Sequence, residues 1–250
     1  MINIPHNNHN TAIKNKIIIV TGATGTIGSA ICDHLIKAGY LIIAVARNAE
    51  KGKQLFENSN KEQISFRSLD LLNNKAIEQL FTDPLLQQGT LRGVISCAGI
   101  LKRGQTETFS IEDWDTTMQL NTSGTWYLFQ NAIKKMKKQS QGGMLIAIGS
   151  RWNKGAKEAA AYAASKSALQ GMIASLQKEF AGTKIRPMLV SPGSVASPMS
   201  KSVNKAIQAE LLSPNDIAAM ITYVLATPHR VIFDEIVIKA YNYDLTDQHA

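Results

Sequence analysis

Short apolar runs alternate along this chain with longer segments in which apolar positions recur at helical spacing. Short, bounded apolar runs are typical of buried strands. Buried strands that alternate with helices indicate a parallel sheet that is covered by helices on both faces. We therefore predict an α/β fold, a doubly wound parallel β-sheet in a three-layer α/β/α sandwich, with strands at 16–21, 40–46, 63–70, 91–98, 143–150, 184–191 and 234–239.

The composition fits one globular domain. The chain has 250 residues, of which 44% are hydrophobic and 18% are charged. We predict a flexible N-terminal tail at 1–14 and a single domain at 15–250. No apolar run approaches the ~20 residues of a membrane span. The two cysteines, Cys32 and Cys97, offer no disulfide framework, which favours a cytoplasmic location.

The net charge of +8 raises the question of nucleic-acid binding. The lysines are spread along the chain, however, and the densest group, at 134–138, lies where a helix should end and where cations complement the helix dipole. The five histidines show no metal-ligand spacing. We therefore expect no nucleic-acid partner, no membrane association and no bound metal.

The first predicted strand runs directly into TGATGTIGSAI at 21–31, in which Gly22, Gly25 and Gly28 are spaced three apart. Glycines at such a turn allow a pyrophosphate to approach the amides at the N-terminus of the following helix. The sequence lacks the Gly-Lys-Ser/Thr ending of a nucleoside triphosphate loop at this point. The turn therefore predicts a Rossmann-like, dinucleotide-binding domain.

Further small and polar residues follow the predicted strands at their carboxyl ends, where open α/β sheets bind ligands. SCAG at 96–99 follows the fourth strand, and SPGSVASPM at 191–199 follows the sixth as a rigid turn. Ser150 ends the fifth strand, where a helix cap or a turn residue is an alternative role. Asn121 lies in an apolar helical pattern, where a buried side chain that satisfies a helix kink is an alternative to a catalytic one.

The segment AAAYAASKSAL at 159–169 predicts a helix that carries Tyr162 and Lys166 on one face, because residues four apart are neighbours on a helix. A surface helix with one aromatic anchor and one solvated lysine is the first interpretation. A nearby ammonium would also stabilise the phenolate form of the tyrosine, by about 1.4 kcal/mol for each unit by which it lowers the pKa.

Taken together, these motifs resemble the short-chain dehydrogenase/reductase family over about residues 15–240. The shared pattern consists of TGxxxxxG, xxAG after the fourth strand, an asparagine in the next helix, a serine upstream of YxxxK, and PG after the sixth strand. The resemblance implies that Tyr162 is the catalytic acid/base and that Lys166 holds the nicotinamide ribose and lowers the pKa of Tyr162. It also implies that Ser150 binds the substrate oxygen and that Asn121 supports a proton relay.

Several positions depart from the common family pattern. The glycine spacing TGxxGxxG resembles the extended branch of the family, whereas the chain length and the YAASK helix resemble the compact branch. Ser150 lies one residue nearer to Tyr162 than is usual in the family. SCAG replaces the usual asparagine pair, and DEIVIKAYNYD at 234–244 lacks the Asp-Gly-Gly ending of many 3-oxoacyl-carrier-protein reductases.

NADP(H) rather than NAD(H) is the expected cofactor. Ala46 ends the second strand where NAD-binding relatives usually carry an acidic residue, and Arg47 follows it. A planar guanidinium suits a 2′-phosphate, although a solvated arginine after a strand is the alternative. The cofactor-binding residues that the resemblance implies are Gly22, Thr24, Gly25, Thr26, Ile27, Gly28, Arg47, Asp70, Leu71, Ser96, Ala98, Gly99, Tyr162, Lys166, Pro192, Gly193, Val195 and Ser197.

The expected activity is the NADP(H)-dependent interconversion of a ketone or aldehyde and an alcohol, with a small molecule as substrate. A 3-oxoacyl-carrier-protein reductase is the closest alternative, and a dinucleotide-binding regulatory protein without catalytic activity is another. The resemblance also implies self-association as a dimer or tetramer. The helical segments at 111–136 and 160–180 agree with this, because they carry more small and apolar residues than one face toward the sheet requires.

Overall fold

The computed structural model describes residues 15–60, 62–197 and 211–241, so the predicted tail at 1–14 lies outside the described residues. Within them, seven strands form one sheet in the order β3-β2-β1-β4-β5-β6-β7, and all neighbouring strands are parallel. The strands are β1 (Lys16–Thr21), β2 (Leu41–Ala46), β3 (Ile64–Ser68), β4 (Thr90–Ser96), β5 (Gly143–Ile148), β6 (Ile185–Pro192) and β7 (Glu235–Ile238). The predicted α/β class and doubly wound parallel sheet are confirmed.

Helices connect the strands and cover both faces of the sheet. Short 3-10 turns also occur at Pro84–Gln87 and Arg151–Lys154. The helices of the described residues are α1 (Thr26–Lys37), α2 (Ala49–Phe56), α3 (Asn74–Leu80), α4 (Ile111–Met118), α5 (Gly124–Met136), α6 (Ala160–Glu179) and α7 (Pro214–Ala226). None of them is both long enough and apolar enough to cross a membrane.

The core lies on the two faces of the sheet, in agreement with the predicted three-layer sandwich. In β1, Ile18 and Val20 contribute to the cluster that includes apolar residues of α1 and α7. Ile17 and Ile19, on the opposite face, contribute to the cluster that includes residues of α3, α5 and α6. All four side chains are fully buried. Strands buried on both faces need apolar residues at successive positions, which explains why they are visible in the sequence as continuous apolar runs.

The predicted helical segment at 111–136 is not one continuous α-helix. A π-helical turn at Gln119–Ser123 separates α4 from α5. At its centre, Asn121 is fully buried, and its side chain bonds to residues outside its own helix. Such π turns insert an extra residue into an α-helix and often occur at functional sites. Asn121 is therefore a buried side chain at an irregular turn of the helix, which agrees with one of its two interpretations.

Candidate active site

A cleft runs along the carboxyl edge of the sheet, next to the point where the strand order reverses between β1 and β4. Open α/β sheets bind ligands at this point. The cleft comprises a cavity of about 460 Å³ at the ends of β1 and β2 and a cavity of about 150 Å³ at the ends of β5 and β6. Both are lined by Ile27, Cys97, Gly99 and Ser197, so the β1–β2 cavity and the β5–β6 cavity form one continuous site.

The glycines of the turn after β1 allow close backbone packing beside the β1–β2 cavity. Gly22 has a φ of +65°, in the left-handed region that favours glycine, and a Cβ there would lie 2.8 Å from the Ala98 amide nitrogen. A Cβ on Gly28 would collide with the Gly22 carbonyl oxygen. Side chains at these two positions would push the turn away from β4 and push α1 away from the turn.

The N-terminus of α1 lies at the β1–β2 cavity, and no side chain of the described residues caps its first amides. Gly25 is the N-cap residue and provides no side-chain hydrogen bond, and the first turn contains no acidic residue. By contrast, Asn48, Asn73, Ser110 and Ser213 cap α2, α3, α4 and α7 with their side chains. Uncapped amides at the positive end of a helix dipole bind phosphate groups well. The turn therefore fits the pyrophosphate of a dinucleotide.

The end of β2 adds positive charge to the same cavity. Arg47, Asn48 and Lys51 line it, and its described lining contains no carboxylate. Arg47 is exposed, and the Asn48 side chain accepts a hydrogen bond from the Lys51 amide at 2.8 Å, which fixes the start of α2. This charge pattern suits a phosphate at the adenosine end of a dinucleotide, because an acidic residue at this place would repel it.

Ser150, Tyr162 and Lys166 meet in the β5–β6 cavity. Ser150 follows β5, and its Oγ accepts a hydrogen bond from the Trp152 amide at 3.1 Å, so that it also caps the 3-10 turn. Tyr162 and Lys166 lie one turn apart on α6, and the Lys166 ammonium lies 5.6 Å from the centre of the Tyr162 ring. The Lys166 Nζ donates to the Ile148 carbonyl oxygen at 2.7 Å.

The pKa of Tyr162 does not follow the expectation that Lys166 lowers it. Burial raises the pKa of Tyr162, and the hydrogen bond with Ser150 acts in the opposite direction but is the weaker effect. The Lys166 ammonium, which donates to the Ile148 carbonyl oxygen and lies 5.6 Å from the centre of the ring, does not reverse the effect of burial. In this structure Tyr162 is therefore a protonated phenol at neutral pH, and Ser150 is the residue that favours its ionisation.

Lys166 itself is strongly affected by burial, since only 5% of its surface is exposed. Burial lowers the pKa of its ammonium to about 8. The neighbouring Cys97 does not compensate, because burial raises the pKa of its thiol to about 12 and the thiol is neutral at physiological pH. The Lys166 ammonium is thus a positive charge with little contact with solvent.

Asn121 lies behind the cleft and connects two of its walls. Its Oδ1 accepts from the Ile100 amide at 2.9 Å, and its Nδ2 donates to the Ile100 carbonyl oxygen and to the Ser165 Oγ, both at 3.0 Å. Ser165 directly precedes Lys166 on α6. The Asn121 side chain lines neither cavity. It therefore positions the chain after β4 relative to Lys166.

Most of the cofactor-binding residues implied by the resemblance lie in the cleft. The β1–β2 cavity is lined by Gly22, Thr24, Gly25, Thr26, Ile27, Gly28, Arg47, Leu71, Ala98, Gly99 and Ser197. The β5–β6 cavity is lined by Tyr162, Lys166, Pro192, Gly193 and Val195, together with residues shared by both cavities.

Two of the implied cofactor-binding residues do not reach the cleft. Asp70 is exposed, and its carboxylate accepts a hydrogen bond from the Leu72 amide at 3.0 Å within a turn. Ser96 is buried, and its hydroxyl bonds to the Thr125 hydroxyl at 2.8 Å. Their side chains are engaged in local structure and line neither cavity.

Arg103 and Trp152 are among the residues of the β5–β6 cavity that sequence reasoning missed. The Arg103 guanidinium lies 4.7 Å from the Trp152 ring centre, and the Trp152 and Tyr162 rings are 6.1 Å apart in an edge-to-face arrangement. The signal in the sequence was their position beyond the strand ends, seven residues after β4 for Arg103 and four residues after β5 for Trp152. Their contact depends on the tertiary fold, which local patterns do not predict.

Comparison with known proteins agrees with this geometry. The sequence model of the short chain dehydrogenase family matches residues 16–208. An uncharacterised oxidoreductase of Staphylococcus aureus (strain MW2) is 28% identical over 229 residues, which cover 92% of this chain and 99% of that protein.

Solved structures share the fold at lower identity. The closed form of a serine dehydrogenase complexed with NADP+ matches with a TM-score of 0.81 at 24% identity, covering 89% of this chain and 94% of that one. An actinorhodin polyketide ketoreductase variant with NADPH matches with a TM-score of 0.82 at 24% identity, covering 90% of this chain and 96% of that one. The family model spans most of the chain, and the chain shares the sheet of these structures. The chain therefore belongs to the short-chain dehydrogenase/reductase family of oxidoreductases.

Proposed function

We propose that this protein is an NADP(H)-dependent oxidoreductase that interconverts a ketone or aldehyde and the corresponding alcohol. The observation that carries the proposal is the meeting of Ser150, Tyr162 and Lys166 in a cavity that is continuous with the β1–β2 cavity. A protein that only binds a dinucleotide has no need for the two hydroxyl groups. When bound, the nicotinamide supplies or accepts the hydride.

Tyr162 transfers the proton in this proposal. Its raised pKa keeps the hydroxyl protonated at neutral pH, so it is ready to donate to the carbonyl oxygen during reduction. During oxidation it accepts a proton from the alcohol. General acid–base catalysis of this kind contributes about 10²–10⁴-fold to the rate.

Ser150 and Lys166 support that proton transfer. Because the Trp152 amide already donates to the Ser150 Oγ, the Ser150 proton is available to the Tyr162 hydroxyl or to a carbonyl oxygen. A donor aimed at the oxygen on which negative charge develops stabilises the transition state. Among the described residues, the Lys166 ammonium uses one of its three donors, on Ile148, and the others are left for the nicotinamide ribose.

The activity is tested by following NADPH consumption with a panel of aliphatic and aromatic ketones and aldehydes. We expect turnover with at least one class of these compounds and no turnover in the Ser150→Ala, Tyr162→Phe double variant. NADPH binding without turnover across the panel would instead support the non-catalytic, dinucleotide-binding alternative.

The preference for NADPH over NADH is expected to depend on Arg47. Its guanidinium is exposed in the β1–β2 cavity, in the absence of any carboxylate among the described lining residues. We expect the parent protein to favour NADPH and Arg47→Ala to lower kcat/KM for NADPH about tenfold or more, with little change for NADH, because only NADPH carries the 2′-phosphate. Steady-state kinetics with both cofactors measures this ratio.

Lys53→Ala is the matched control for Arg47. Lys53 is an exposed cation of α2 that pairs with Glu50 at 3.4 Å and does not line the cavity. A parent enzyme that favours NADH, or an equal loss in the Lys53→Ala variant, would show that Arg47 does not recognise the 2′-phosphate.

We also propose that the protein is a homodimer or homotetramer. Trp114 on α4 and Trp126 on α5 are each 41% exposed, and a Cβ added to Gly171 on α6 meets no atom within 4 Å. Exposed aromatic side chains and open space beside a helix glycine suit packing between subunits. Light scattering distinguishes these assemblies from a monomer.

The two free cysteines support the expected cytoplasmic location.

A further inference from the structure

Arg103 is held at the β5–β6 cavity by a loop that is anchored on both sides. Ile100, at its start, is bound by the Asn121 side chain through both its amide and its carbonyl group. Gly104, directly after Arg103, donates its amide hydrogen to the Glu158 carbonyl oxygen at 2.9 Å, just before α6. The guanidinium then lies 4.7 Å from the Trp152 ring centre. Arg103 is therefore positioned without a ligand.

The charges around Arg103 are not balanced. The residues that line the β5–β6 cavity within the described ranges include two cations, Arg103 and Lys166, and no carboxylate. Lys166 is deeply buried and donates to Ile148. The neighbouring Lys102 is paired with Asp113 at 3.2 Å, but no ion pair to Arg103 occurs among residues 15–60, 62–197 and 211–241. The cavity thus has one exposed positive charge that the described part of the protein does not neutralise.

The contact with Trp152 does not use up the binding capacity of Arg103. The five N–H donors of a guanidinium lie in its plane, so the group can contact an aromatic ring and still bind a carboxylate through two hydrogen bonds. Trp152 in turn contacts Tyr162, the proposed proton donor, edge to face. Arg103 and Tyr162 therefore contact the same Trp152 ring, and Tyr162 marks the place where the carbonyl group reacts.

We propose that Arg103 binds the carboxylate of the substrate, so that the enzyme acts on short oxo acids and the corresponding hydroxy acids. This inference rests on the proposed function, since it assigns the substrate class of the same site. The carbonyl group lies at Ser150 and Tyr162, and the short carbon chain lies against Trp152 and Leu101. Arg103 acts in binding and specificity and takes no part in the proton transfer.

The test compares acids with uncharged analogues of the same carbon skeleton. Reduction of 3-oxobutanoate and 4-oxopentanoate is measured beside that of their methyl esters, in the parent protein and in Arg103→Met. We expect the parent to favour the acids. Arg103→Met should lower kcat/KM for the acids about tenfold to a hundredfold and leave the values for the esters within about threefold, because only the acids lose a charge-assisted hydrogen bond. Arg103→Lys should recover only part of the loss.

Lys102→Met is the matched control, since it removes one positive charge from the adjacent position outside the cavity. An equal loss in Lys102→Met, or an unchanged ratio of acid to ester in Arg103→Met, would overturn the assignment of Arg103. Calorimetric titration with the acids and esters in the presence of NADP+ gives a readout that does not need turnover. Acids that bind no more tightly than their esters would also overturn the inference.

These outcomes separate the two proposals. A parent protein that reduces the esters as well as the acids contradicts the role of Arg103 and leaves the proposed reductase activity intact. A parent protein that binds the acids through Arg103 but reduces neither acids nor esters contradicts the proposed activity on these compounds and supports the carboxylate site.

Discussion

Tyr162→Phe is expected to lower kcat by about 10²–10⁴-fold, while the Kd for NADPH changes by no more than about twofold. The substitution removes only the hydroxyl group, so the ring remains in contact with Trp152 and Lys166. Without the hydroxyl, the proposed mechanism has no group that donates a proton to the carbonyl oxygen. The loss should therefore appear in the chemical step and not in cofactor binding.

Tyr40→Phe is the matched control for this experiment. Tyr40 is also a buried tyrosine with a raised pKa, but it belongs to the core and not to the cleft. Stopped-flow kinetics measures the hydride step, and fluorescence titration measures cofactor binding. Near-parental turnover in Tyr162→Phe would show that another group transfers the proton.

Lys166→Met is expected to abolish activity and to stabilise the cofactor-free protein. The fall of the Lys166 pKa from 10.5 to about 8 corresponds to a cost of about 3 kcal/mol for holding its charge in the folded state. Methionine has a similar shape and no charge. Loss of the charge-assisted bond to the Ile148 carbonyl offsets about 2 kcal/mol, which leaves a net gain of about 1 kcal/mol. For a chain of this length we expect the Tm to rise by about 2–4 °C.

The pH dependence of this gain identifies its cause. At or below about pH 8, Lys166 is charged in both the folded and the unfolded protein, so the advantage of methionine is constant. Between about pH 8 and 10.5 the folded parent releases the proton and the unfolded chain retains it, so the parent becomes more stable as the pH rises. The difference between variant and parent should therefore narrow above about pH 8.

Lys178→Met provides the comparison for that measurement, because Lys178 is an exposed lysine of the same helix. It should show no gain in stability, since its charge is solvated. Denaturant unfolding at several pH values measures all three proteins. A Lys166→Met variant less stable than the parent at neutral pH would contradict the cost assigned to the buried charge.

The parts of this structure that the sequence predicts are those with local signals. The inner strands β1, β2, β4, β5 and β6 are buried on both faces, so their apolar runs are nearly continuous. The predicted ends of all seven strands lie within two residues of the observed ones. Tyr162 and Lys166 share a helix face because their spacing is four. Helix α7 was not among the predicted elements, although Ser213 and Asp216 form a capping box at its start.

The remaining features depend on contacts between distant parts of the chain. The break in the segment at 111–136 is accompanied by bonds from Asn121 to Ile100 and Ser165, which are 21 and 44 residues away. Arg103 and Trp152 meet because two loops converge at one edge of the sheet. The direction of the Tyr162 pKa shift depends on burial, which the sequence pattern does not give.

The π turn at Gln119–Ser123 also limits which insertions and deletions the helical segment at 111–136 can accept. Deleting one residue there would produce a continuous α-helix and would remove the turn that places Asn121 against Ile100 and Ser165, whereas inserting a second extra residue would rotate α5 by about 100° about its axis relative to α4. Leu128, Phe129 and Ala132 would then leave the sheet, while the half-exposed Trp126 would turn toward new surroundings. Insertions and deletions in this lineage are therefore expected in the surface loops, and the segment at 111–136 is expected to keep a constant number of residues.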